Sequence, residues 1–211
     1  MEQQQSGWRK LTFGRFHDVA RAHVALMDAV RRPPPPTVPH AEEGPAWEEW
    51  ELFEQADLEA VLKIEEHAVV TIIFACAACE LYINDAGARL LGDTYFAKHV
   101  DRLDLLSKWV LVPKLIKGHE IDRGGRAFEL LKRLVGLRNE LMHPKSAPVE
   151  LEQIKFSNEP PRAASAHEAI EALDRLGEEA EKFDERAGSG LFDADEHSRR
   201  QLIRAGFEGP R

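Results

Sequence analysis

The chain has 211 residues, of which 43% are apolar and 31% charged, and a formal net charge of −9. That length suits one well-packed domain with appendages, and the balance predicts a globular, soluble protein rather than a disordered one. The longest apolar run, Val69 to Cys79, is about half of what a membrane-spanning helix needs.

The opening Met-Glu-Gln-Gln-Gln has the features of neither a signal nor a transit peptide. With only two cysteines besides, the expectation is a reducing cytoplasm and no membrane partner. Residues 13–31 repeat apolar side chains at helical spacing and predict an N-terminal amphipathic helix within a segment 1–32. Arg31-Arg-Pro-Pro-Pro-Pro-Thr-Val-Pro39 stops it. Four successive prolines cannot be helical and favour an extended, semi-rigid spacer over 33–45.

A helical core is expected from 46 to 145. Trp47 and Trp50 stand three apart in the acidic stretch Glu42–Glu66 and predict a short helix that presses aromatics onto the core. Asp57 is suited to cap a separate long helix running to Leu91, with Val69, Ile72, Ile73, Cys76 and Ile83 on its apolar arc. Cys76-Ala-Ala-Cys79 has redox or half-zinc spacing, but no second cysteine pair exists, so both thiols read as small packing residues. Glu80 falls inside the arc and Asn84 at its edge, and a carboxylate there needs a partner or a proton.

Gly92-Asp-Thr94 is a break, after which Tyr95 to Lys117 predicts one helix, kinked or ended near Pro113. Residues 98–145 hold 11 basic and 6 acidic side chains, a positive segment between acidic flanks. Lys98, Arg102 and Lys108 supply part of that charge, which suits an anionic substrate. Gly118 to Gly125 is a loop; its Gly-Gly pair lacks the strand and Lys-Ser/Thr of a phosphate loop.

The next helix is the most informative stretch: Phe128-Glu-Leu-Leu-Lys-Arg-Leu-Val-Gly-Leu-Arg-Asn-Glu-Leu-Met-His-Pro-Lys145. Its apolar residues at 130, 131, 134, 135, 137, 141 and 142 form one arc, and Arg138 lies near the middle. A guanidinium cannot shed its charge, so on such a stripe it needs a carboxylate, an interface or an anionic ligand. Asn139 and His143 lie four apart beside the arc, and Pro144 disfavours helix at His143, which sets the imidazole on the last turn. Of the three asparagines in the chain, two neighbour the misplaced charges Glu80 and Arg138. The economical expectation is that Glu80 meets Arg138, within one chain or across a dimer.

Beyond Pro144 lies a C-terminal extension, 146–211, with a short strand or loop at 149–157, a helix over 163–186 and a further helix over 193–205. Nine histidines are scattered without metal-ligand spacing, so no metal or cofactor is expected.

Arg138-Asn-Glu-Leu-Met-His143 resembles the R-x(4–6)-H signature of HEPN domains, including the polar residue that often follows the arginine. The resemblance covers residues 57–145. A second match, Arg162-Ala-Ala-Ser-Ala-His167, follows a Pro-Pro pair and ends no apolar helix. The resemblance implies an all-α helical bundle, commonly dimeric, and for many members a metal-independent endoribonuclease of toxin–antitoxin or phage-defence systems. It implies catalytic Arg138 and His143 with Glu80 in support; Asn84 and Asn139, which stand beside the two charges, are read as further supports, and Lys145 just past the helix end and the positive Lys108 and Arg102 are read as RNA contacts. Its implied partners are RNA, a second copy, and an antitoxin or other regulatory protein. Other members are inactive dimerisation or binding modules, and a helical scaffold with a purely structural Arg138 is the third expectation.

Overall fold

A computed structural model describes residues 13–38, 45–143 and 162–187. The described residues are all-α: helices α1 (Phe13–Ala29), α2 (Pro45–Leu91), α3 (Asp93–His99), α4 (Leu105–Lys117), α5 (Arg126–Met142) and α6 (Ala163–Glu181), with no strand among them. Lys145, the expected strand or loop at 149–157 and the expected helix at 193–205 lie outside them.

Two boundaries differ from the sequence reading. No break occurs before Asp57, because α2 runs unbroken for 47 residues. It starts at Pro45, whose missing N–H costs nothing in a first helical turn, and residues 46–56 are mostly good helix formers. The opposite happens after Gly92, where one expected helix becomes two. Asp104 caps α4 by accepting from the Ser107 amide at 2.9 Å. Pro113 lies inside α4, which continues to Lys117 and ends on Gly118 at φ +69°, a left-handed conformation that glycine adopts without a Cβ penalty.

An 18-residue window within Ala46–Leu91 is apolar enough by composition to cross a membrane, and 50% of that window is buried inside the protein. Beside the large buried Ile72, Tyr82 and Ile83, many buried positions of α2 carry small side chains: Ala68, Ala75, Cys76, Ala78, Cys79 and Ala86 are at most 3% exposed. Such residues let neighbouring helices approach closely.

The described residues form two compact units. The first takes 13–18, 77–129 and 173–187. Its core is aromatic: Phe13 meets Tyr82 edge-on at 5.6 Å between ring centroids, Tyr82 meets Trp109 at 5.8 Å, and Trp109 meets Phe183 edge-on at 6.4 Å. Gly87 lets the Phe96 ring of α3 close onto α2, since a Cβ there would lie 2.5 Å from a ring carbon.

The second unit takes 19–76, 130–143 and 162–172. Met27, Ile64, Ala68 and Ala166 form a core cluster with Val24, Val30 and Ala163 packed on it. Ion pairs rim it: Arg133 with Glu168 at 2.8 Å, His167 with Asp28 at 3.1 Å, and Arg162 with Glu65. The proline segment is clipped to α2. Arg32 forks onto Asp57 at 2.6 and 2.5 Å, and the Trp50 indole donates to the Val38 carbonyl at 3.1 Å. Asp57 is thus an ion-pair partner rather than a cap, and Trp47 is 41% exposed rather than pressed into the core.

Candidate functional site at the end of helix α5

The apolar stripe of α5 is buried at its start. Leu130, Leu131 and Leu134 are at most 1% exposed, whereas Val135, Leu137 and Leu141 are half-buried and Met142 is 52% exposed. Burial fades along the helix, and Arg138 is reached where it has partly done so. Arg138 is half-buried as a residue, and its guanidinium donates to the Asn139 side-chain oxygen at 3.0 Å in an exposed hydrogen bond. Solvent therefore relieves part of the demand for a carboxylate that the helical wheel implied.

His143 directly follows the last residue of α5, and its amide closes one more turn by donating to the Asn139 carbonyl at 2.9 Å. Both Asn139 and His143 are exposed. One helix terminus thus gathers a fixed cation, a carboxamide that orients it through its side chain, and an imidazole open to solvent. Chemically this set can hold a phosphate through the guanidinium and move a proton through the imidazole.

Apart from Lys145, which lies outside the described residues, the other expected site residues belong to the first unit. Glu80 is half-buried and makes no ion pair with any residue of that unit among those described. Asn84 is half-buried, and its side-chain oxygen is buried without a hydrogen-bond partner among the described residues. Arg102 is exposed in the turn before α4. Lys108 is 3% exposed, with its ammonium 6.0 Å from the centroid of the Phe96 ring. That is a cation–π contact inside the unit and not an open phosphate contact.

The structure also holds polar constellations that sequence spacing did not reveal. Asp184, 2% exposed, accepts from the Tyr82 hydroxyl at 3.0 Å, from Arg89 at 2.6 and 3.3 Å, and from the Arg186 amide at 3.1 Å. Arg89 also reaches Asp85 at 3.5 Å. Burial alone would raise the Asp184 pKa, but the bonds from Arg89, the Arg186 amide and Tyr82 outweigh it and hold the carboxyl below its usual range. Burial and then the Asp184 charge push the Tyr82 phenol well above its usual value. Every charge here has a hydrogen-bonded counterpart, and the cluster reads as a structural lock rather than a reactive site. Only the Asp85/Arg89 pair, four apart on one helix, was readable from the chain; Asp184 lies 95 residues from Arg89.

His119 pairs with Glu179 at 3.0 Å on the same unit. Among the described residues no group of three or more His, Cys, Asp or Glu side chains converges as a metal cage would.

No family model matches the chain. No curated protein and no solved structure matches it either.

Proposed function

We propose that the protein is a metal-independent endoribonuclease of HEPN type, acting in a toxin–antitoxin or phage-defence setting. One observation carries the reading: Arg138, Asn139 and a solvent-open His143 share the last turn of α5. In the reaction, the imidazole of His143 takes the proton of a ribose 2′-hydroxyl as that oxygen attacks the adjacent phosphorus. Arg138 binds the non-bridging oxygens and offsets the charge that grows on them, with the two-pronged geometry a lysine lacks. The 5′ oxygen leaves with a proton, giving a 2′,3′-cyclic phosphate and a 5′-hydroxyl end.

One imidazole does not readily serve both sides of an in-line displacement. A second copy would supply the other His143, so a homodimer is part of the proposal. Asn139 holds the guanidinium in place, and Lys145 follows the site closely in sequence.

The second reading is a catalytically inactive HEPN-like module for dimerisation or for binding a nucleotide or protein. It is favoured by Lys108, whose burial withdraws one of the cations expected to face RNA. The two readings separate in one experiment, in which purified protein is incubated with total RNA in excess EDTA and the product ends are analysed. Cleavage to cyclic phosphates that disappears in His143→Ala supports the nuclease. Binding without cleavage supports the module.

A further inference from the structure

The second unit contains an imidazole pair that the proposed chemistry does not use. His23 on α1 and His67 on α2 are both half-buried and bring their Nδ1 atoms to 3.1 Å, with ring centroids 5.1 Å apart and planes at 64°. Two ring nitrogens so close cannot both carry a proton. One donates and one accepts, or both lone pairs face a common electrophile. At 3.1 Å the spacing is that of an ordinary hydrogen bond and fits the second arrangement as well. For metal–nitrogen bonds of roughly 2.0–2.1 Å, donors at that separation subtend roughly 95–100° at the ion, between octahedral and tetrahedral values.

The pair is also fixed in place. One turn along α2, the Thr71 hydroxyl donates to the His67 carbonyl at 2.9 Å and lies 3.4 Å from the Ala20 carbonyl of α1, bracing the two helices in register. Met27, one turn beyond His23, is held in the core with Ile64 and Ala68 of α2. Because no third His, Cys, Asp or Glu joins the pair among the described residues, such a site leaves several positions of the ion to water. Two imidazole ligands suit a borderline ion that accepts nitrogen donors, such as Cu²⁺, Ni²⁺ or Zn²⁺.

We infer that His23 and His67 form a two-imidazole binding site for a divalent transition-metal ion, which clips α1 to α2 when it binds. The ion takes both Nδ1 lone pairs, and the proton of the donor ring is carried on Nε2 instead. By the stability order of such ions Cu²⁺ binds tightest.

The test titrates Cu²⁺ alone, and Zn²⁺ alone, into the full chain, and compares wild type with His23→Gln and His67→Gln. The seven other histidines set a background, so the readout is the difference between proteins. Wild type should bind one equivalent more than either variant, show hyperfine coupling to two nitrogens in the paramagnetic resonance spectrum of its tightest Cu²⁺, and melt at higher temperature with metal. Each variant should keep its helical circular dichroism and lose both the equivalent and the metal-induced rise in melting temperature. Equal stoichiometry and equal thermal shifts in wild type and correctly folded variants overturn the inference, as does a tightest site with a single nitrogen. RNA cleavage does not enter these readouts, so the site stands or falls independently of the nuclease proposal.

Discussion

Asp184→Asn is the sharpest probe of what holds the first unit together. The substitution keeps the shape of the side chain and removes the charge that faces Arg89 at 2.6 Å, in a place where the two side chains are 2% and 17% exposed. Removing one member of a buried ion pair costs about 3–5 kcal/mol, because the other charge stays desolvated and unbalanced. Arg89 retains Asp85 at 3.5 Å and some solvent, which places the expected loss near the lower end, about 3 kcal/mol. For a chain of this size that is a fall in melting temperature of about 6–12 °C. Tyr82→Phe removes one bond to the same carboxylate and should cost about 1.5 kcal/mol. The double variant Arg89→Met/Asp184→Leu should recover much of the Asp184→Asn loss, since no charge is left stranded. Urea or thermal unfolding followed by circular dichroism measures all three. If Asp184→Asn unfolds within about 0.5 kcal/mol of wild type, a value typical of ordinary surface substitutions, the cluster is not a lock.

Two glycines should respond in opposite directions. Gly87→Ala would put a methyl group 2.5 Å from the Phe96 ring, and the overpacking cost of about 1–3 kcal/mol outweighs the gain in helix propensity; Gly136→Ala on α5 meets nothing within 4 Å and should stabilise by up to about 1 kcal/mol. Paired melting curves check both signs. Acid should also destabilise in a defined window. The carboxyls of Asp57, bonded by Arg32, and Asp104, bonded by Ser107, are held below their usual range, as is that of Asp184. A depressed carboxyl in the folded state stabilises it above the unfolded pKa of about 4, and that contribution is lost as pH falls through the folded values. Melting temperature against pH should be level near neutrality and drop below about pH 4, less steeply in Asp184→Asn.

Periodicity carried the helical architecture because the apolar arcs of α1, α2, α5 and α6 are long enough to repeat several times. It failed at ends. Asp57 and Asp104 are the same residue type before an apolar run, yet only Asp104 caps a helix. A capping side chain marks a start only where the preceding backbone leaves the helix, and residues before Asp57 do not. A helical wheel places Arg138 on the α5 arc but has no measure of how burial decays along the axis, from Leu134 at 1% exposed to a half-buried Arg138. The Arg89–Asp184 and His23–His67 contacts join residues 95 and 44 positions apart, and no local spacing encodes such pairs.

The proposed RNA cleavage at the end of α5 is decided by comparing wild type, Arg138→Ala and His143→Ala on total RNA in excess chelator, with the folded state of each checked by circular dichroism. Because Arg138 is half-buried and His143 exposed, both variants should fold with stability within about 1 kcal/mol of wild type. Wild type should release fragments with 2′,3′-cyclic phosphate and 5′-hydroxyl ends, and each variant should lose about two or more orders of magnitude in rate. Fragments produced equally by all three proteins, or by none of them, would contradict it.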